Sequence, residues 1–347
     1  MANERQIALL KKIEDDESLG WAMTVAGELS TDLGDYQRGL REYDEALKLY
    51  QKIGHQEEVI SAYGNLGWVN TLLGNLTDAV KNEQAAIALT RQTNSKGELD
   101  RLLDNLADVL LEQGDVQGAV KQLEEGFEIN HETGDKRVTA YLHTSRSKLL
   151  FAEGKLDESR REAELAVKSC LELNDEGGAN KRRLLLARLD IAENHSDAAA
   201  EALRKFLSSS KSKKEEESQT EARALLIEAL LTMPSDDAKR EIVPLAKIAP
   251  NTQDVSLRLA ANLQIARARF ALGDRTGALE LLEEVISESR RLGYEAEWLE
   301  ARLARAEMDL QTGHSSTGRA QIKQIAEQAQ SKGLTLIAKK ASLLADR

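Results

Sequence analysis

A turn signal recurs along this 347-residue chain at an almost fixed step of 40 residues. It falls at Gly34, Gly74, Gly114, Gly154, Asn194, Pro234, Gly273 and Gly313, with intervals of 40, 40, 40, 40, 40, 39 and 40. The stretch Tyr63–Ala86 shows the unit: an amphipathic run, a Gly74-Asn75 turn and a second amphipathic run. A period of this length means stacked supersecondary units, each burying its apolar face on its neighbours. The chain therefore reads as all-α, an array of about eight helical hairpins with terminal capping helices.

Composition supports this and excludes several functions. Only three prolines and few aromatics occur in the whole chain, which favours helix throughout. The net charge of −12 argues against nucleic acid, which needs a basic footprint, and against an anionic membrane surface. Cys170 is the single cysteine, so no internal disulfide forms, as expected in a reducing compartment. No apolar run approaches the roughly 20 residues of a membrane span, and the N-terminus lacks a signal-peptide core. A cytoplasmic location is expected.

Taken in order, residues 1–15 form an incomplete unit, in which Ile7–Asp16 overlays Leu47–Gln56 when shifted by 40, with Ile13 on Ile53. They are either half of a hairpin whose first helix is missing, or an N-terminal capping helix. Residues 16–208 hold five regular units. Their A helices cover about 17–33, 57–73, 97–113, 137–153 and 177–193; their B helices cover about 36–52, 76–93, 116–133, 156–173 and 196–208. Gly34-Asp35, Gly74-Asn75 and Gly114-Asp115 pair a left-handed helix end with a capping residue. Residues 209–216 read as a polar loop. Residues 217–250 form an irregular sixth unit, its second helix ended by Pro244 and Pro250. Residues 251–332 restore the pattern in two further units. Residues 333–347 read as a C-terminal cap, with Leu334, Ile337, Ala338 and Leu344 inward and Lys339, Lys340, Asp346 and Arg347 facing water.

The residues Tyr63, Leu66, Gly67, Ala79 and Ala86 resemble the signature positions of tetratricopeptide repeats. Gly27, Tyr43 and Ala46 repeat it in the first unit, Leu103, Leu106, Ala107 and Ala119 in the third, and Ile265, Ala266 and Ala278 in the seventh. The unit is 40 residues rather than 34, and the signature proline at the repeat end is absent. This long form resembles the repeats of kinesin light chains and LGN/Pins polarity scaffolds, and the repeat tails of bacterial signalling proteins such as serine/threonine kinases. The resemblance implies a right-handed superhelix whose A helices line a concave groove.

Catalysis is not expected. The five histidines are scattered, and neither a phosphate-binding glycine loop nor a cysteine pair occurs, so no cofactor or metal is expected. The groove stripe instead suggests a protein or peptide partner. It includes Trp21, Trp68, Asp104, Asp108, Tyr141, Lys148, Leu184, Arg188 and Arg267. Trp68 is a large aromatic of the kind that anchors interfaces. Acidic residues in units one to three and basic ones in units four, five and seven suggest a bipolar groove that orients an extended segment. In long-repeat relatives, Asn just before the Leu-Gly pair reads a bound peptide's backbone; the resemblance carries that role to Asn65 and Asn105. The expected function is a protein–protein interaction scaffold in a signalling system. Its alternatives are a non-catalytic tail of a larger enzyme and an architectural or homo-oligomerising stack.

Overall fold

In a computed structural model the chain is a tandem of antiparallel helical hairpins, described over residues 9–10, 13–93, 96–210, 215–233, 237–313 and 315–345. The A helices are α1 (Asp16–Asp32), α3 (Gln56–Leu72), α5 (Leu99–Glu112), α7 (Lys136–Ala152), α9 (Glu176–Ala192), α11 (Glu216–Leu231), α13 (Val255–Ala271), α15 (Glu295–Gln311) and α17 (Thr335–Ala345). The B helices are α2 (Tyr36–Ile53), α4 (Leu76–Thr93), α6 (Val116–Thr133), α8 (Leu156–Glu172), α10 (Ser196–Ser209), α12 (Ala238–Ile248), α14 (Arg275–Leu292) and α16 (Ser315–Ser331). No strand occurs among the described residues.

The turn chemistry explains this regularity. Gly34, Gly74, Gly114, Gly154, Gly273 and Gly313 all have positive φ, and Asn194 takes the same conformation at φ 64°. Pro234 lies outside the described residues. A second set, with Gly54, Gly134, Gly293, Gly333 and Asn174, closes the turns from B to A; the sequence reading missed it. Asp35, Asp115, Asp175 and Asp274 accept hydrogen bonds from the first turn of the helix each precedes, which satisfies otherwise orphaned N–H groups. Asn75 does not cap in this way, and its amide donates to Asn70 Oδ1 at 3.0 Å.

Small residues admit large neighbours. Ala46, Ala79 and Ala278 are fully buried and Ala119 nearly so. Gly27 and Gly67 do more than bring helices close. A Cβ on Gly27 would lie 2.7 Å from the Tyr43 ring, and one on Gly67 would lie 2.3 Å from Glu83 Oε1. Each glycine thus vacates the volume that a B-helix side chain fills.

Three expectations need correction. Pro244 sits inside α12 instead of ending it, and Pro250 lies in a short 3₁₀ turn, Ala249–Asn251. Burial of Leu245 and Ala249 against Ala224, Ile227, Ala261 and Ile265 outweighs the loss of one backbone bond. Of the supposed polar loop, Ser209 ends α10, Glu216 begins α11, and 211–214 lie outside the described residues. In the C-terminal helix Leu334, Ile337 and Ala338 are buried as expected. Lys340, however, turns inward to Glu300 Oε1 at 3.0 Å; Asp346 and Arg347 lie outside the described residues. Of residues 1–15, Leu10 packs into the first core cluster, whereas Leu9 and Ile13 are exposed.

The largest departure concerns long-range closure. Units contact more than their immediate neighbours, because the superhelix returns on itself. The Tyr36 hydroxyl donates to Glu217, 181 residues further on. At the same spacing the turn at Gly74 backs onto Val255 and the turn at Gly114 onto Glu295, while Gly154 lies against Leu336. Buried Tyr294 donates to the Thr71 carbonyl at 2.9 Å. One apolar cluster accordingly joins α5, α6 and α7 to α15, α16 and α17. Another joins Leu76, Ala79 and Val109 to α13, α14 and α15. The concave face becomes a lumen bounded by two superhelical turns.

Candidate functional site on the inner face

A ladder of equivalent A-helix positions lines this lumen. One rung per unit, it reads Glu28, Trp68, Asp108, Lys148, Arg188, Glu228, Arg267 and Glu307. One pair of adjacent rungs meets directly: Lys148 Nζ donates to Asp108 Oδ2 at 3.0 Å. Arg188 pairs with Glu221 at 3.4 Å and Arg267 with Glu300 at 3.3 Å. Gln264 reaches Glu228 at 3.3 Å. The basic half of the expected bipolar groove is therefore largely neutralised. Lys148, Arg188 and Arg267 are each answered by a carboxylate on the adjacent A helix. Glu221 and Glu300 were legible in principle, since the same 40-residue step carried into units six and eight reaches them.

The predicted residues separate into three groups. Trp21, Trp68 and Tyr141 are exposed by 59%, 41% and 42%, and the two indole faces are free to meet a partner. Arg182 stacks on Tyr141 at 5.1 Å from its centroid, while no ring or cation stacks on Trp21 or Trp68 among the described residues. Asp104, Asp108, Lys148, Arg188 and Arg267 form the polar wall. Leu184 leaves the site: it is buried among α10 and α11 residues. Three residues beyond Lys181, it is turned about 60° toward the core at roughly 100° per residue.

Asn65 and Asn105 stand differently. Asn65 is half-buried on α3. Asn105 donates through Nδ2 to Glu83 Oε1 at 3.0 Å, so part of its amide is committed inside the protein. Glu83 is fully buried, its Oε2 has no partner, and burial raises its carboxyl well above the usual carboxylate range.

The wall's electrostatics follow from enclosure. Burial, with Asp108 alongside, pushes Asp104 up to about 8. Burial and the facing Glu297 raise Glu112 well above its ordinary value. Burial also lifts Glu297 to about 7. Burial by itself would lower Lys148, but Asp108, Glu112 and Asp104 around it raise it instead. Glu300 is the opposite case: although burial opposes it, Lys340 and Arg267 hold it at about 2. Asp104 Oδ1, Asp108 Oδ1, Gln264 Oε1, Arg267 Nε and Glu297 Oε2 are buried without a hydrogen-bond partner.

Elsewhere, Asp190, Glu193 and His195 lie close enough to hold a cation. Arg160 already bonds both carboxylates at 2.7 Å. His143 contacts Glu162 at 2.6 Å and Phe127 edge-on, a packing role. No described helix is long and apolar enough to cross a membrane.

This geometry, a closed stack of helix pairs with a polar inner wall, is that of a tetratricopeptide solenoid. Residues 24–336 match the MalT-like TPR region, and the chain belongs to that family. No curated protein matches it. Among solved structures it is similar to the apo form of RapI, with 14% identity, a TM-score of 0.57, and coverage of 79% of this chain and 98% of that one. A Rap protein complexed with competence and sporulation factor gives 12%, 0.58, 92% and 96%. The tetratricopeptide-sensor STAND protein PH0952 of Pyrococcus horikoshii gives 16%, 0.51, 84% and 44%.

Proposed function

We propose that this chain is a non-catalytic interaction module that holds an extended segment of a partner protein along its lumen, as part of a signalling system in the cytoplasm. The observation that carries this reading is Trp68. It sits two-fifths exposed on the inner ladder, where most other rungs are engaged in polar pairs with the adjacent helix. A large aromatic left open beside a polar wall is the arrangement that anchors a partner. The Rap likeness is compatible, since that Rap protein is complexed with a factor.

The test is affinity capture from lysate with the wild-type chain beside the triple variant Trp68→Ala, Lys148→Glu, Arg188→Glu. Partners retained by the wild type and lost by the variant are expected. Identical partners for both, or none, would sink the reading.

A second reading is a sensor or recruitment segment of a larger signalling protein. It rests on the STAND likeness, in which this chain spans 44% of a protein whose name includes a tetratricopeptide sensor.

A further inference from the structure

The lumen wall between units two and four has more carboxylate than its own cations can serve. Asp104 and Asp108 on α5 and Ser145 and Lys148 on α7 meet at one seam. Lys148 donates to Asp108 Oδ2, and the Ser145 hydroxyl lies beside Asp104. Asp104 is 94% buried on the residue scale (6% exposed) and its Oδ1 is unpartnered, as is Asp108 Oδ1. One turn along α5 lies Glu112. The turn beyond it, at Gly114, abuts Glu295, so Glu297 of the opposite wall faces the same space. Glu297 Oε2 is also unpartnered. An ammonium has three donors and cannot satisfy four carboxyls at once. The other nearby cations are engaged: Arg182 bonds Thr144 Oγ1 at 2.9 Å and stacks on Tyr141, Arg101 bonds Glu98, and Arg188 pairs with Glu221.

Trp68 supplies an independent observation. It occupies the rung next to Asp108 on the adjacent A helix, where packed helix axes lie about 8–10 Å apart, and its ring is open. An exposed indole beside under-served carboxylates is a receptor for a planar or point cation.

We propose that Trp68, Asp104, Asp108, Glu112 and Glu297 form a subsite for one basic side chain, arginine or lysine, of the segment bound in the lumen. This rests on the peptide-binding reading above and specifies its chemistry. The incoming cation donates to the free lone pairs of Asp104 and Asp108 and stacks on Trp68. Lys148, whose side chain is 39% exposed, remains available to Glu112. Because Asp104 and Glu297 hold protons near neutrality, entry of the cation displaces a proton, and binding strengthens as pH rises. The charged groups facing them set that balance: Asp108, Glu112, Glu83 and Arg101 from α4 and α5, Lys148 from α7, Arg182 and Arg188 from α9, Asp254 capping α13, and Glu300 from α15.

The experiment uses fluorescein-labelled heptapeptide pools with a fixed central Arg, Lys, Leu or Glu and flanks randomised without ionisable residues. Anisotropy with the full chain should show the Arg and Lys pools binding about tenfold or more tighter than the Leu and Glu pools, as a hydrogen-bonded charge pair contributes. Their affinity should rise about tenfold from pH 6 to pH 8, the ceiling being tenfold per unit for one displaced proton. Asp104→Asn with Asp108→Asn should remove the preference while leaving Leu-pool binding and the helical circular dichroism unchanged. Glu280→Gln with Glu284→Gln, which likewise converts two carboxylates to amides but at exposed α14 positions, should leave it intact. A preference that survives the first pair, or vanishes with the second, overturns the subsite. Binding by all pools alike, or a basic preference insensitive to pH, overturns it while leaving the peptide groove standing. No binding by any pool overturns both.

Discussion

Gly67→Ala is the most direct test of how this stack is packed. The new methyl would lie 2.3 Å from Glu83 Oε1, 2.6 Å from Cδ and 2.7 Å from Cγ, against ordinary contacts of about 3.5–4 Å. Glu83 is fully buried and cannot step into solvent, so the carboxyl must retract by about 1 Å, given that contact range. Overpacking of that kind costs about 1–3 kcal/mol, and losing the Asn105 hydrogen bond adds about 1 kcal/mol. Better helix propensity returns about 1 kcal/mol. The net expectation is destabilisation by about 2 kcal/mol, read as a lowered urea midpoint. Gly177→Ala is the matched control, because that glycine is exposed on α9 with its nearest neighbour 3.7 Å away. It should stabilise by about 0.5–1 kcal/mol. The clash also predicts coupling: when Gly67→Ala is combined with Glu83→Ala, the added methyl enters vacated space, and the two effects should fall short of additivity by about 1 kcal/mol. A Gly67→Ala chain as stable as wild type, or strictly additive substitutions, would refute the reasoning.

Other expectations follow from the same geometry. Leu29 and Leu189 occupy equivalent positions on α1 and α9, but Leu29 is 50% exposed and Leu189 is 1% exposed. Leu189→Ala should cost about 2–5 kcal/mol and Leu29→Ala less than about 1 kcal/mol in urea unfolding, with equal losses counting against the stacking order. Tyr294→Phe removes the hydroxyl that joins unit eight to the Thr71 carbonyl of unit two. A loss of about 1 kcal/mol and faster amide exchange at the ends of α3 and α15 are expected; unchanged exchange would mean that the two superhelical turns do not hold each other. Asp104 and Glu297 titrate at about 8 and 7 in the fold, against 3.8 and 4.5 ordinarily. The folded chain therefore binds protons that the unfolded chain has lost, and stability falls as pH rises from about 4 to 8. The melting temperature should drop between pH 5.5 and 8.5, and Asp104→Asn with Glu297→Gln should flatten that drop. Asn194→Ala, at φ 64°, should cost about 1 kcal/mol, and a Gly there should not.

Much of this architecture is written locally, and local information is what a sequence states openly. The 40-residue step located the A-to-B turns, because a residue with positive φ after a helix end is required whatever the distant chain does. The same step placed α1 to α10 within a few residues, and it placed Trp68, Asp108, Lys148 and Arg188 on one inner face. Pro244 was misjudged because its local penalty is real but smaller than the burial of α12 against α11 and α13. What the sequence could not state is closure. Each unit adds a small rotation, and only their sum over 181 residues brings Tyr36 to Glu217 and Tyr294 to Thr71. That sum decides which carboxylates are walled in. Asp104 is desolvated by its own neighbours on α5, α7 and α9, whereas Glu112 and Glu297 read as ordinary charges on a helical pattern and hold protons because closure brings them together from two superhelical turns. The sequence by itself determined the helices, their turns and the face each presents. The tertiary structure decided that this face is a lumen, since desolvation depends on segments far apart in the chain, which no repeat encodes alone.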